Sequence, residues 1–158
     1  ANYTALTKLA QTIEARPTVF CGAPYSGAWY VPAGKSYMAQ AIYDAGADYL
    51  WSDVKQTGAI PLDTERVFLK AAQADYWINP SDHRSFTELE QADARFLKFN
   101  AARTRKVFNN TRQVGPKGGN AIWEEGVVYP DRVLADLISI FHPELLPEHR
   151  FVFYEPLK

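Results

Sequence analysis

The tripeptide Gly34-Lys35-Ser36 is the first stretch whose residue types could do chemistry, because it resembles the end of a phosphate-binding P-loop. The full motif, G-x-x-x-x-G-K-[ST], also needs a glycine five positions before Gly34, so that backbone N–H groups can curl around the phosphate. Trp29 stands there, which argues against a nucleotide site. Two interpretations stay open. Ser36 begins a helix whose free N–H groups, together with the Lys35 ammonium, favour an anionic or carbonyl-rich ligand, or Ser36 is only a cap and Lys35 a solvated charge.

Other groupings of reactive residue types give weaker signals. The segment 142–149 holds two histidines and two glutamates, but prolines at positions 143 and 147 break the helical register that would bring them onto one metal ion. Glu124 and Glu125 are neighbours in sequence and point apart on most backbones, so they do not predict a catalytic acid–base pair. The sequence also shows no nucleophile with an evident base. It therefore predicts no catalytic residue, no metal site and no cofactor.

Two long segments between predicted elements, 22–35 and 109–129, are rich in aromatic and basic side chains. Large rigid rings with polar edges on loops are typical of a binding surface. The candidate ligand-binding residues are Tyr25, Trp29, Tyr30, Lys35, Ser36, Arg112, Trp123 and Tyr129. Trp51, at the end of a predicted strand, is instead expected in the core.

Hydrophobic periodicity predicts elements that alternate between helix and strand. The predicted helices cover 3–15, the segment from the Ser36 cap to Gly46, a segment that begins at Asp63 or Thr64, a segment that begins at the Ser85/Glu88 capping box, 94–102, and 130–141. The predicted strands are TVFCG, DYLW, DYWIN, KVFNN and, at a sheet edge, RFVFYE. This order predicts an α/β fold, a three-layer α/β/α sandwich with a mostly parallel central sheet. In such sheets, ligands bind outside the carboxyl ends of the strands.

Composition narrows the classes of partner. The chain has 158 residues, enough for one domain, and a formal net charge of -1 without a basic block, so neither nucleic acid nor an anionic membrane is a predicted partner. Its single cysteine, Cys21, cannot form an internal disulfide and is expected to be a buried hydrophobic residue.

Five stretches resemble a known family in their order and spacing: "RPTVF", "WYVPAGKSYMAQAIYDAGADYLW", "IPLDTERVFLKAAQADYWIN", "KVFNN" and "WEEGVVYPDRVLADLISIFHPEL". Together they resemble the C-terminal lobe of the periplasmic solute-binding proteins that serve ABC importers for iron-siderophores, haem and vitamin B12. The resemblance spans nearly the whole chain. It implies one lobe of a two-lobe binding protein, with residues 1–16 as the end of the interlobe connecting helix and 17–158 as the C-terminal α/β lobe.

The resemblance also implies partners and a location. The expected partners are a metal-chelate ligand (a siderophore, haem or cobalamin), an ABC permease and an N-terminal lobe that is missing from this chain. The expected location is periplasmic or otherwise extracytoplasmic, with the membrane reached only through a lipid anchor that this chain lacks. Trp29, Tyr30 and Trp123 match positions where relatives present rings to the ligand. Lys35 and Arg112 are added for their charge, because such ligands often carry carboxylates.

One departure from the family concerns docking on the permease, since Lys35 stands where some relatives carry a glutamate. Two alternatives to a binding lobe also stay open. An α/β enzyme or chelatase-like protein would use the same loops and should show a titratable residue with a strongly shifted pKa in its pocket. An interaction module would bury the long loops in a homodimer.

Overall fold

The computed structural model describes residues 2–158 and contains eight strands in two sheets. The strands are β1 (Thr18–Cys21), β2 (Ala23–Tyr25), β3 (Ala28–Pro32), β4 (Asp48–Tyr49), β5 (Ala59–Leu62), β6 (Tyr76–Ile78), β7 (Val107–Asn109) and β8 (Glu155–Pro156). The α-helices are α1 (Asn2–Ala10), α2 (Tyr37–Asp44), α3 (Thr64–Ala71), α4 (Phe86–Ala92), α5 (Asn100–Arg103), α6 (Ile122–Val128) and α7 (Pro130–Phe141). Two 3₁₀ turns cover Ala94–Lys98 and Pro143–Leu145.

The larger sheet has the strand order β4-β1-β6-β7-β8. The first four strands are parallel to their neighbours, and β8 runs antiparallel to β7 at the edge. Successive residues of β6 contact different layers. The ring centroid of Tyr76 lies 5.3 Å from that of Phe141 in α7, whereas the ring centroid of Trp77 lies 5.3 Å from that of Phe99, which precedes α5. Because successive strand residues face opposite sides of a sheet, helices cover both faces. The predicted three-layer α/β architecture with a mostly parallel sheet is confirmed.

Most predicted helix boundaries follow from capping. The Ser36 hydroxyl accepts a hydrogen bond from the Ala39 N–H, and the Asp63 carboxylate accepts one from the Glu65 N–H, so both side chains cap their helices as predicted. Gly46 takes a φ of +85° just after α2, the left-handed conformation that ends a helix. The predicted helix over 94–102 is instead a 3₁₀ turn followed by the short α5.

The segment 22–35, predicted as a loop, is largely a β-hairpin, and this prediction is wrong. Strands β2, β3 and β5 form a separate antiparallel sheet. The hairpin turns at Ser26 and Gly27, whose φ values of +48° and +85° match the turn that best joins two twisted strands. Trp51, as predicted, is buried in the core.

Of the predicted strand RFVFYE, only its end pairs with another strand, as β8. The backbone N–H groups before β8 instead donate hydrogen bonds to a side chain. Asp136 of α7 is fully buried, and its carboxylate accepts hydrogen bonds from the N–H groups of Val152, Phe153 and Tyr154. His149 Nε2 lies 2.7 Å from the same carboxylate. This anchor fixes the C-terminal segment beside α7.

Helix α1 ends at Ala10, whereas the predicted helix continues to Ala15. It is docked on α2 by a hydrogen bond of 2.6 Å from the Tyr3 hydroxyl to Asp44. The first residue of the predicted connecting segment 1–16, Ala1, lies outside the described residues.

Candidate binding site

A pocket of about 180 Å³ lies at the carboxyl ends of β6 and β7, the edge where an α/β sheet binds ligands. Asn79 follows β6 directly, and Asn110 follows β7 directly. The start of α2, the helix α6 and Val133 of α7 form the other walls. The lining residues are Tyr37, Met38, Asn79, Asn110, Ile122, Trp123, Gly126, Val127 and Val133.

Helix α6 forms the outer wall, since it turns one side to the core and the other outward. Ile122 and Gly126 are buried, whereas Trp123 is 69% exposed and Val127 is 77% exposed. The contact with α7 is close: a Cβ on Gly126 would lie 3.2 Å from Val133 Cγ2. Trp123 therefore stands at the pocket mouth with most of its ring open to a ligand.

The polar groups of the pocket include two asparagine amides. The side-chain oxygen of Asn110 is already engaged, because it accepts a hydrogen bond of 3.5 Å from the Asn120 amide nitrogen, which also donates to the Asn110 backbone oxygen at 2.6 Å. Asn79 has a φ of +57°, a left-handed conformation that asparagine tolerates better than most residues. The Asn79 amide lies beside the buried Tyr154 hydroxyl, and its Oδ1 atom is buried without a well-formed hydrogen bond among the described residues. Strained residues and unpaired buried polar atoms are both features that recur at ligand sites.

The loop that carries Asn79 is held in place from β7. The buried side chain of Asn109 donates hydrogen bonds to the backbone oxygens of Ser81 and His83, at 3.0 Å and 2.7 Å. This tie joins the loop after β6 to the end of β7. Asn109, Asn110 and Thr111, which match the N-glycosylation pattern N-x-[ST], are all buried.

The pocket lining carries no acidic or basic side chain. Its titratable residue with a shifted pKa is Tyr37, which is 58% exposed and whose pKa is raised because partial burial disfavours the phenolate. A phenol that stays protonated can donate a hydrogen bond. Glu124 and Glu125 follow Trp123 in the first turn of α6 and are exposed.

The structure corrects the placement of Trp29. The predicted position in an aromatic wall is wrong, because β3 alternates and turns Trp29 into the core at 0% exposure. Its indole packs edge-on against Phe96 and Phe99, and its Nε1–H donates a hydrogen bond of 2.9 Å to the Cys21 carbonyl. Ser36, likewise, is buried as a helix cap and is outside the pocket lining.

The other candidate residues separate into three places. Trp123 lines the pocket. Tyr25 and Tyr30 are exposed on one face of the small sheet, because Tyr25 pairs with Ala28, which lies on the same face as Tyr30. Lys35, Arg112 and Tyr129 are exposed and outside the pocket lining, and Tyr129 lies under the Arg132 guanidinium at 4.0 Å.

Sequence reasoning missed most of the lining, including Tyr37, Met38, Asn79 and Asn110. A usable signal existed for the two asparagines, since each lies at the carboxyl end of a predicted parallel strand. Tyr37 directly follows the predicted cap Ser36. The predicted helix start therefore lies next to the pocket, although the Ser36 hydroxyl does not line it.

Residues 2–158 lack two further kinds of feature. None of the described helices is both long and apolar enough to cross a membrane. Within the same range, no three metal-ligating side chains gather where they could hold an ion.

Comparison with known proteins supports the fold. No family model matches the chain. An uncharacterized lipoprotein of Methanocaldococcus jannaschii is 27% identical over 141 residues, which cover 87% of this chain and 32% of that protein. The TroA-like periplasmic binding protein FepB from Veillonella parvula superposes with a TM-score of 0.70 at 14% identity, covering 99% of this chain and 53% of that structure. The periplasmic haem-binding protein RhuT from Roseiflexus sp. RS-1 gives a TM-score of 0.60 at 19% identity, covering 91% of this chain and 52% of that structure.

The chain thus spans about half of these solved structures and about a third of the curated relative. The resemblance to periplasmic binding proteins is confirmed at the level of the fold: the chain has the architecture of a part of such a protein.

Proposed function

We propose that this chain is the C-terminal lobe of a substrate-binding component of an ABC importer, which captures a metal chelate and delivers it to a permease. The ligand is an iron-siderophore, haem or a cobalamin-type compound, and binding is reversible and without catalysis. The protein acts outside the cytoplasm, as a lipoprotein in its full-length form. The relatives support this location, since one is a lipoprotein and the solved structures are periplasmic binding proteins.

The observation that carries the proposal is the apolar pocket at the carboxyl ends of β6 and β7, with the exposed Trp123 at its mouth. An exposed indole beside a preformed cavity offers a stacking face for a large, flat or ring-bearing ligand. The neighbouring side chains Val127 and Val128 are also exposed, at 77% and 67%, and extend this apolar surface.

The small volume of the pocket is consistent with a ligand site that two lobes share. Pockets that enclose a drug-sized ligand usually measure roughly 300–1,000 Å³. At about 180 Å³ this pocket holds only one portion of a metal chelate. In the proposed arrangement a second lobe, which precedes residues 17–158 and is joined through the segment 1–16, covers the remainder.

Ligand binding by the full gene product that carries this chain tests the proposal. Equilibrium dialysis is done with a panel of ferric siderophores, haemin and cyanocobalamin, and each ligand is recovered afterwards for chemical identification. We expect at least one to bind and to be recovered unchanged. An altered ligand would favour the enzyme alternative, and a panel without any binder would contradict the proposal.

The matched variant is Trp123→Phe. Trp29, Trp51 and Trp77 are buried, so the exposed Trp123 is the tryptophan that a ligand in the pocket would contact. We expect the bound ligand to quench tryptophan fluorescence in the parent protein and much less in Trp123→Phe. Trp51→Phe, at a buried position outside the lining, is the control and should keep the quenching.

A further inference from the structure

The open polar groups of the pocket are hydrogen-bond donors. We propose that the pocket receives an oxygen of the ligand that carries no proton, a carbonyl or carboxylate oxygen, and that the Asn110 amide and the Tyr37 hydroxyl bind it. The part of the ligand that enters the pocket therefore ends in a hydrogen-bond acceptor rather than in an ammonium or another donor group. This inference rests on the proposed function and narrows its ligand class.

The orientation of the Asn110 amide follows from a chain of hydrogen bonds that begins at a backbone group. The Ile122 N–H can only donate, and it donates to Asn120 Oδ1 at 3.1 Å. The Asn120 amide nitrogen therefore faces Asn110, where it donates to the backbone oxygen at 2.6 Å and to Oδ1 at 3.5 Å. Because a carboxamide carries its oxygen and its NH₂ group on opposite sides, the Asn110 NH₂ group is turned away from Asn120.

The Asn110 NH₂ group is a donor in need of an acceptor. Asn110 lines the pocket and is only 8% exposed. Among the described residues its hydrogen bonds to Asn120 occupy the two oxygens, and its amide nitrogen donates to none of them. Buried donors are normally paired, because an unmade hydrogen bond costs free energy. A ligand oxygen in the pocket would supply the missing acceptor.

Further donors lie at the start of α2. The Tyr37 phenol stays protonated, since partial burial raises its pKa, and it lines the pocket. Tyr37 and Met38 are also the first two residues of this helix, whose opening N–H groups have no partner within the helix itself. The Ser36 side chain accepts a hydrogen bond only from the Ala39 N–H. The helix start therefore adds positive potential to this wall of the pocket.

The acceptors of the lining, in contrast, are withdrawn from the pocket. Asn110 Oδ1 faces Asn120, and Asn79 Oδ1 is buried away from the pocket, in an amide that lies beside the Tyr154 hydroxyl. The lining contains no carboxylate. An ammonium or N–H group of a ligand would lose its water here without finding an open amide or carboxylate oxygen, which is unfavourable.

Ligand binding by the full gene product tests the inference, with ferrichrome, ferric enterobactin, cyanocobalamin and haemin as probes. Haemin carries carboxylates, whereas the other three carry carbonyl oxygens and no carboxylate, so the probe that binds identifies the kind of oxygen. Tyr37→Phe removes one donor and keeps the ring. We expect it to bind that probe about fivefold more weakly than the parent, the usual effect of losing one hydrogen bond.

Tyr43→Phe is the matched control. Tyr43 lies on the same helix and is 57% exposed, against 58% for Tyr37, but it is outside the pocket lining. It should bind every probe like the parent. Parent-like binding by Tyr37→Phe, or equal weakening by both variants, would overturn the inference and leave the proposed function standing. A parent protein that binds none of the probes would remove both.

Asn110→Asp tests the second donor. The substitution keeps an oxygen toward Asn120 and replaces the NH₂ group by a second oxygen of the same size. We expect binding at least about tenfold weaker than in the parent, because a ligand oxygen then meets a carboxylate oxygen instead of a donor. Urea denaturation of the variant verifies that it is folded. A folded Asn110→Asp protein that binds the probe as tightly as the parent would overturn the assignment of Asn110.

Discussion

Trp29 and Trp123 belong to the same predicted aromatic wall and have opposite surroundings in the structure. Trp29, on the small antiparallel sheet, is fully buried among other aromatic rings. Trp123, on the connection between β7 and α7, is 69% exposed at the mouth of the pocket. The first predicted loop region sends its tryptophan into the core, whereas the second leaves its tryptophan on the surface.

The cause of the difference is the local periodicity. On β3 the side chains alternate, so Trp29 and Val31 turn inward while Tyr30 turns outward. On α6, Ile122 and Gly126 occupy the inward side, which leaves Trp123 on the outside. An aromatic residue in a connection is thus a binding residue only where the backbone turns it away from the core.

The largest effect that separates the two regions is expected from truncating the two tryptophans. Trp29→Ala removes a fully buried indole together with its hydrogen bond to Cys21, and should lower the free energy of unfolding by about 3–5 kcal/mol. Trp123→Ala, at an exposed position, should change it by about 0.5 kcal/mol or less. Urea denaturation followed by circular dichroism measures both. Similar losses in the two variants would contradict the assignment of one ring to the core and the other to the surface.

The fold was largely predictable because its signals are local. Apolar periodicity marked the parallel strands and α7, and capping residues such as Ser36 and Asp63 marked helix starts. The errors lie where one local sequence pattern is compatible with two different structures. The segment 22–35 contains prolines and glycines typical of a loop, yet its Ser26-Gly27 turn closes a hairpin.

The site was less predictable, because its residues meet only through the topology. Of the eight candidates, Trp123 lines the pocket, whereas Asn79 and Asn110 come together because β6 and β7 are neighbours in the sheet. Periodicity does not reveal that adjacency. It also does not show that Asn79 keeps an unpaired oxygen, which depends on every neighbour of that atom among the described residues.

An intermediate effect is expected from two glycines, one in each region. A Cβ on Gly34, just after β3, would lie 2.3 Å from the Ser52 backbone oxygen and 2.6 Å from that of Val54. Gly34→Ala must therefore displace backbone and should destabilise the fold by about 1–3 kcal/mol. A Cβ on Gly119, before α6, would have no described atom within 4 Å apart from its own chain neighbours, so Gly119→Ala should be nearly neutral. Urea denaturation of both variants tests whether the connection before α6 is as loosely packed as this comparison implies.

The smallest effect is expected at Tyr154, which lies buried beside the C-terminal anchor of Asp136. Its hydroxyl lies beside the Asn79 amide but forms no well-formed hydrogen bond among the described residues, so Tyr154→Phe should change the stability at neutral pH by about 1 kcal/mol or less. Burial raises the pKa of the folded-state phenol well above its ordinary value near 10, whereas the unfolded chain ionises there. The contribution of the Tyr154 phenol to the free energy of unfolding is complete below about pH 10. It is lost as the pH rises further, because the unfolded state then releases a proton that the folded state retains.

Tyr154→Phe should therefore flatten the alkaline fall of the free energy of unfolding, measured by urea denaturation between about pH 8 and pH 11. Tyr25→Phe, at an exposed position, should keep the parent profile. If Tyr154→Phe also follows the parent curve, the phenol of Tyr154 reaches solvent in the folded protein. The solvent-accessible region then extends further into the core than the structure indicates.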